Sequence, residues 1–151
     1  MAKIILRGNK QAFSGFERRV QRAFPQILQD MAVRQEIEVL ENFRQESFRD
    51  RGRSKWAPRK GRLDQIERST RQGILVRSGK GRASTKVRVE GNLVRVTNAA
   101  QSDKGFYYMA AHNEGRGNMP ERRFIGVSED LSKEIARKDI VPALKKAIYG
   151  K

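Results

Sequence analysis

The sequence predicts an α+β fold, and three regions carry that prediction. Helical patterns fill the first third of the chain, on both sides of Pro25. Two strictly alternating runs, 86–90 and 93–97, flank a Gly-Asn pair, and a helix start signal at Ser128 precedes a last helical pattern. Helices and strands that are segregated along the chain in this way are typical of the α+β class.

Length and composition predict one domain that spans residues 1–151. Hydrophobic residues make up 37% of the chain and charged residues 33%, a polar balance that is not typical of full disorder. There is no cysteine, which excludes disulfides and thiolate metal sites. No apolar run approaches the roughly 18 residues that cross a bilayer, and residues 1–7 are too short for a signal-peptide core. We therefore expect an intracellular protein with no membrane partner.

The first third predicts two helices, after a weak strand signal at residues 3–7. Ser14 is a candidate N-cap for the first helix. Pro25 is expected to end that helix and to start a longer one that runs to about Phe48, because proline lacks a backbone donor but fits a first turn.

The long second helix has a wide apolar surface, which consists of two adjacent rows. Such a surface exceeds what a helix with one buried side needs. Two alternatives stay open: both rows belong to the core, or one row contacts another subunit. The rows are Leu28, Met31, Val39 and Phe43, and then Val33, Ile37, Leu40 and Phe48.

Residues 49–72 lack a hydrophobic period and predict a long basic loop, with a possible helical turn at 64–71. From residue 44 to 88, fifteen Lys/Arg oppose four Asp/Glu, so this segment carries +11 of the net charge of +16. A concentrated positive field attracts polyanions and acidic proteins; the alternative is a solvated loop. Trp56 either stacks on a partner or tethers the loop to the core. The candidate partner-binding residues are Arg49, Arg51, Arg53, Lys55, Trp56, Arg59, Lys60 and Arg62.

The alternating runs predict a β-hairpin at 86–97 with Gly91-Asn92 as a two-residue turn. In that register Val87 faces Val96 and Val89 faces Val94 on the inner side, whereas Arg88 faces Arg95 on the outer side. Like charges directly opposite each other are unfavourable. The outer side therefore contacts an anionic surface, or the turn is longer than two residues.

The other short elements are less regular. The apolar run 74–76 and the segment 123–125 are predicted strands, and residues 107–112 fit either a strand or a short helix. Ser128 is a candidate N-cap for the C-terminal helix, followed by two acids that suit a first helical turn. Asp139 and Pro142 predict a kink or a restart within that helix.

The residues do not assemble a catalytic or metal site. His112 is the only histidine, and a nucleophile–base pair needs a second histidine or a cysteine. Glu114 and Glu121 are oxygen ligands in principle, but acids at this density are ordinary in turns. We expect neither an enzyme nor a bound metal or cofactor. Two alternatives are a DNA- or RNA-binding module and a small basic ribonuclease that uses His112.

Three separated patterns match a known family in order and spacing. They are Trp56-x-Pro58; Ile74-Leu75-x-x-Ser78-Gly79 with Ser84; and Tyr108-x-x-x-His112-x-x-Gly115 followed by Pro120-x-Arg122-x-Phe124-x-Gly126. Over residues 25–148 the chain resembles the phage virion-morphogenesis proteins, the tail-completion family of Mu-like and related contractile-tailed phages. One departure is Gly81, where the family usually has an apolar residue two positions after the Ser-Gly pair.

The resemblance implies a non-enzymatic assembly protein that caps a tail or joins it to the filled head, as a homo-oligomeric ring. Its partners would be the connector, tail tube or terminator, with possible contact to the DNA backbone. It would occupy the host bacterial cytoplasm during assembly and then the neck or tail of the virion.

Residues 106–126 are the most distinctive stretch, and we interpret them as a structural lock rather than as a site. Tyr108 and Phe124 are expected to anchor its two arms in the core, and His112 is expected to form a hydrogen bond. Gly115 and Gly117 would permit the turn between the arms. The cations expected to stay available to a partner are Arg116, Arg122 and Arg123.

Overall fold

The computed structural model describes residues 10–58, 73–76, 78–126 and 128–150. Within these residues the chain combines helices with two small antiparallel sheets, in agreement with the predicted α+β class. The strand signal at 3–7 and the helical turn at 64–71 lie outside the described residues. The helices are α1 (Lys10–Gln45), α2 (Lys80–Ala83), α3 (Tyr108–Glu114), α4 (Glu129–Ile135) and α5 (Val141–Tyr149), and the strands are β1 (Ser47–Arg49), β2 (Arg53–Lys55), β3 (Thr85–Glu90) and β4 (Leu93–Asn98).

The prediction of two N-terminal helices is wrong, because α1 is one helix of 36 residues with Pro25 inside it. Ser14 accordingly lies within the helix and not at its start. An interior proline costs about 3 kcal/mol because it removes one backbone bond and crowds the preceding turn. Helix α5 packs along α1, and residues on both sides of the proline, Arg22 and Gln26 among them, line a groove between the two helices. We attribute the continuity of α1 across Pro25 to this packing.

The predicted hairpin is confirmed in its register. Strands β3 and β4 are antiparallel, with Val87 opposite Val96, Arg88 opposite Arg95 and Val89 opposite Val94. Gly91 has a φ of 58°, which glycine adopts at little cost in a turn of this kind. The valine side packs towards α1 and the charged side is exposed. The two-residue turn therefore stands, and the two arginines do face each other.

The predicted strands at 74–76 and 123–125 are absent. Residues 73–76 form a turn in which Leu75 has a positive φ of 62° and Val76 N–H donates to the Gly73 carbonyl. That conformation cannot continue a strand, although Ile74 is buried in the core. Residues 121–126 are irregular, and 107–112 resolves as the start of helix α3.

The C-terminal helical region begins as predicted. The Ser128 hydroxyl accepts a hydrogen bond from Leu131 N–H, and Glu129 and Asp130 occupy the first turn of α4. The irregularity predicted near Asp139 and Pro142 takes the form of a π-helical turn, Ala136–Ile140, between α4 and α5. Such a turn is a common cause of a helix bend.

The predicted loop at 49–72 begins with a hairpin. Strands β1 and β2 pair around Arg51 and Gly52, which both have positive φ. Asp50 Oδ1 accepts from the backbone N–H of Glu129, and Gly52 N–H donates to Asp130. These bonds attach the hairpin tip to the start of α4. Residues 59–72 lie outside the described part of the chain.

The described core joins α1 to several segments between residues 56 and 124. Its buried members are Val39, Phe43, Trp56, Ile74, Ala100, Met109 and Phe124. None of the described helices combines the length and the apolar character that crossing a membrane requires.

Gly81 lies where the sequence resemblance implies an apolar residue, and the core is filled there from another helix. It is buried in α2, and a Cβ built on it would lie 2.6 Å from the sulfur of Met109. The Met109 side chain, which is fully buried, thus occupies the space that a larger residue at position 81 would need. The apolar volume is supplied from α3 instead of from α2.

Candidate functional site

Residues of the first and third sequence patterns meet around one arginine. Arg122 is buried, its Nε donates to the carbonyl of Ala57 at 2.9 Å, and a terminal nitrogen donates to the carbonyl of Pro58 at 3.1 Å. Its other terminal nitrogen lies 3.4 Å from His112 Nδ1. We call the following five residues the motif cluster: Trp56, Pro58, His112, Arg122 and Phe124.

Aromatic contacts connect the motif cluster to α1. Phe43 lies with its ring centroid 4.9 Å from that of Phe124 and 5.7 Å from that of Trp56. The indole N–H of Trp56 donates to the Arg123 carbonyl at 2.7 Å. Trp56 is only 7% exposed, so it tethers the segment after β2 to the core rather than offering its face to a partner.

Two asparagines replace the strand pairing that residues 123–125 lack. The Asn113 side-chain oxygen accepts from the backbone N–H of both Phe124 and Ile125, each at 2.9 Å. Asn42, buried on α1, donates to the Phe124 carbonyl. Sequence reasoning missed both asparagines. The available signal was Asn42 itself, an amide between Val39 and Phe43 on the core side of a helix, where a buried polar group needs a partner.

The remaining motif residues position turns. Gly115 ends α3 with φ 65°, and a Cβ there would lie 3.0–3.2 Å from atoms of Glu121. Gly79, also left-handed, precedes α2, and the Ser78 hydroxyl accepts from Lys80 N–H. Tyr108 packs against the core at the start of α3. Pro120 is exposed, and Gly126 lies in the bend after Ile125.

His112 contacts Arg122 and so has a structural role in the motif cluster. Its carbonyl accepts from Arg122 N–H at 2.7 Å, and its half-buried ring faces the guanidinium of the same arginine. Among the residues that the structure describes, no group of three or more His, Asp or Glu side chains is arranged to hold a metal ion.

The described cations of the predicted partner-binding set bind within the chain. Arg49 pairs with Glu38 and Glu134, each at 2.9 Å, and Arg53 donates to Asn42 and to the Ser47 hydroxyl. Arg51 pairs with Glu129, and Lys55 donates to the Gln45 carbonyl. Arg59, Lys60 and Arg62 lie outside the described residues.

The three arginines that the sequence analysis expected to be available to a partner differ in their exposure and contacts. Arg122 is buried, so that expectation is wrong for it. Arg123 lies over the ring of Phe48, with Cζ 4.8 Å from the ring centroid. Arg116 is exposed and paired with Glu114.

A network of ion pairs connects α1 to the C-terminal helical region. Arg34 binds Asp139 in bidentate geometry at 2.5 and 2.6 Å and also reaches Glu134 at 3.1 Å. Glu134 is bound in turn by Arg49 and Lys138. Asp139 is buried and lies in the π-helical turn.

The network changes the protonation behaviour of its members. Hydrogen bonds from Lys138 and Arg49 lower the pKa of Glu134 to about 2. The hydrogen bond to Asp139 raises the pKa of Arg34. Burial raises the pKa of Glu38 above its ordinary value, and the positive charges of Arg49 and Arg53 oppose that shift. The charge of Glu134 is therefore well stabilised, whereas that of Glu38 is not.

Two of the exposed surfaces in the described part of the chain are of interest as partner surfaces. The hairpin basic face, which is the outer side of β3–β4, carries Lys86, Arg88 and Arg95. Arg95 pairs with Glu90 at 2.5 Å. Lys86 and Arg88 have no hydrogen bond or ion pair with the described residues, unlike the cations of the β1–β2 hairpin.

The second surface is the outer ridge of α1, formed by Val33, Ile37 and Leu40. These side chains are 56%, 60% and 47% exposed. They are three members of one of the two apolar rows that the sequence places on this helix. The prediction is wrong for the fourth member, Phe48, which lies in β1 beyond the end of α1 and is buried. The other row is largely buried, with Leu28, Val39 and Phe43 in the interior.

Comparison with known proteins found no match: no protein-family model, no curated protein and no solved structure matches this chain.

Proposed function

We propose that this chain is a structural phage assembly protein that acts in tail completion or head–tail joining, as a ring at the neck or tail end. The observation that supports it is the motif cluster. Residues of the first and third patterns that resemble the virion-morphogenesis family, far apart in sequence, contact one another around buried Arg122. Patterns that are joined in this way form one structural unit, which supports the interpretation that their order is a requirement of one fold.

The two exposed surfaces suit an assembly role. The outer ridge of α1 is an apolar surface of the type that protein partners cover. The hairpin basic face suits an anionic partner, either an acidic surface of a connector, tail tube or terminator, or the DNA backbone that passes through a neck. In this proposal the protein works in the host cytoplasm during assembly and then remains in the virion.

Deletion of the gene from its phage tests the proposal directly. We expect particles that stop at unjoined heads and tails, seen by electron microscopy, with a loss of infectious titre that a plasmid copy restores. A plasmid copy with the exposed ridge changed, Ile37→Asp, should restore less. Normal virions from the deletion strain would contradict the proposed role.

A second candidate function is a basic DNA- or RNA-binding module, which one observation favours. Lys86 and Arg88 are adjacent on one side of β3 and form no ion pair with the described residues. Unpaired cations on an exposed strand are free to contact phosphates, whereas the β1–β2 cations are already bound to carboxylates or to neutral oxygen acceptors within the chain.

Neutralising these two cations tests whether they contact DNA directly or only add to the overall positive charge. The variant Lys86→Gln/Arg88→Gln should bind duplex DNA more weakly, and its log–log salt slope should fall by about 1–2, since each phosphate contact contributes about 0.9. Fluorescence anisotropy over a salt series measures both. The matched control Arg51→Gln/Arg116→Gln removes the same charge from cations that are paired with Glu129 and Glu114. Equal effects in both variants, or no binding at low salt, would contradict this function.

A further inference from the structure

The outer ridge of α1 lies opposite the buried side of the same helix. At 3.6 residues per turn, Val33, Ile37 and Leu40 fall within one narrow strip, about 180° around the helix from buried Asn42. A helix with apolar residues on both its inner and its outer side is usually covered on both. The described part of this chain covers only the inner side.

A groove lies farther along α1, where α5 packs beside it. Its floor consists of Ala23, Ala143 and Ala147, and its rim carries Arg19, Arg22 and Lys146. The groove has a volume of about 390 Å³, and none of its lining residues is acidic. Small floor residues let another helix approach closely, and the cationic rim favours one with acidic flanks. We call this feature the alanine groove.

The ridge and the groove share one side of α1. Arg19, Arg22 and Gln26 lie on the same strip of the helix surface as Val33, Ile37 and Leu40. The centre of the groove, near Arg22, and the centre of the ridge, near Ile37, are roughly 22 Å apart along the axis, at 1.5 Å per residue. One continuous face thus has a concave basic half and a convex apolar half.

We propose that this face binds the same face of a second copy of the chain, with the two α1 helices antiparallel. The two-fold axis then passes near residues 29 and 30, with Arg22 opposite the partner copy's ridge at position 37 and Gln26 opposite position 33. Each ridge enters the other copy's alanine groove, so the same contact forms twice. The proposal stands on the geometry of α1 and α5 and does not depend on the phage role.

Charge complementarity favours a second copy as the occupant. Glu36 flanks the ridge and forms no ion pair with the described residues, whereas Arg19, Arg22 and Lys146 surround the groove. In the antiparallel register Arg22 lies beside position 36 of the other copy. The chain has a net charge of +16, so two copies repel over most of their surfaces and need such a local match to associate. Pairs of this kind enter a ring only where the ring has two-fold axes.

Sedimentation equilibrium of the full chain tests the proposal. We expect a species of twice the 17.3 kDa chain mass, and Ile37→Asp should weaken the dimer by about tenfold or more. Ile37 is exposed, so circular dichroism should show an unchanged fold. A matched control, Leu93→Asp, changes an equally exposed residue at the hairpin turn and should leave the dimer intact. A monomer at every concentration, or a dimer that Ile37→Asp leaves unaffected, would overturn the proposal.

Charge reversal tests the register and the symmetry. Glu36→Lys alone and Arg22→Glu alone should each weaken the dimer, because each sets like charges against each other. Both changes in one chain should restore it, and so should mixing the two single variants, which should yield 1:1 dimers. Failure of both restorations would overturn the antiparallel register. Restoration as assemblies larger than dimers would instead indicate head-to-tail association and would also overturn it.

Discussion

Replacement of Phe124 by alanine is expected to lower the free energy of unfolding by about 3–5 kcal/mol, the range for removing a well-packed phenylalanine from a core. Phe124 is 1% exposed, and its ring contacts Phe43 of α1. Its backbone is fixed by Asn42 and Asn113, which limits how far the site can collapse around the cavity. Urea unfolding followed by far-UV circular dichroism measures the change.

Two controls define what the Phe124 result means. Phe106→Ala removes an equally large ring that is 49% exposed at the other end of the same stretch, and it should change stability by less than about 0.5 kcal/mol. Phe124→Leu should cost less than Phe124→Ala, because more of the volume remains. If both phenylalanine-to-alanine variants unfolded at the same urea concentration, our interpretation would be wrong. That interpretation is that residues 106–126 stabilise the packing between α1 and the segment after β2.

The second large effect is expected at Arg34. Arg34→Met should cost about 2–4 kcal/mol, because it leaves the buried carboxylate of Asp139 without its bidentate partner. Removing one partner of a buried pair is far more costly than removing both. The estimate stays below the full range for buried pairs since the Arg34 side chain is 25% exposed.

A double-mutant cycle isolates this interaction. Arg34→Met/Asp139→Asn should be more stable than the sum of the single effects predicts, with a coupling of about 1–3 kcal/mol. Arg44→Met provides the matched control, because Arg44 makes a similarly short pair with Glu41 on the exposed side of α1 and should matter little. Additive single effects at positions 34 and 139 would show that the pair does not hold α1 to the π-helical turn.

Local signals in the sequence predicted the elements whose geometry depends on neighbouring residues. The β3–β4 register follows from alternation and a two-residue turn, and both are properties of a few adjacent positions. The Ser128 cap is equally local. Pro25 led to a wrong prediction of two helices, because the cost of an interior proline is visible in the local sequence. The packing of α5 against α1 is not visible there, since it involves residues more than a hundred positions away.

The predicted partner-binding residues illustrate a second limit. A cluster of arginines in sequence indicates a basic segment but not where the carboxylates lie. The fold brings Glu38 from α1 and Glu134 from α4 to Arg49, which removes that cation from the candidate surface. Conversely, Arg88 was noted only for its unfavourable position opposite Arg95, yet it is exposed and, with Lys86, forms no ion pair with the described residues.

The sequence alone determined the α+β class, the β3–β4 hairpin and the start of the C-terminal helical region, because period, turn chemistry and capping act over a few residues. It also singled out Trp56, Arg122 and Phe124. Only the tertiary structure decided that these three residues meet in one cluster and which apolar row of α1 stays exposed. It also decided that the β1–β2 arginines form ion pairs and hydrogen bonds within the chain. Those outcomes depend on contacts between residues far apart in the chain, and such contacts have no local signature.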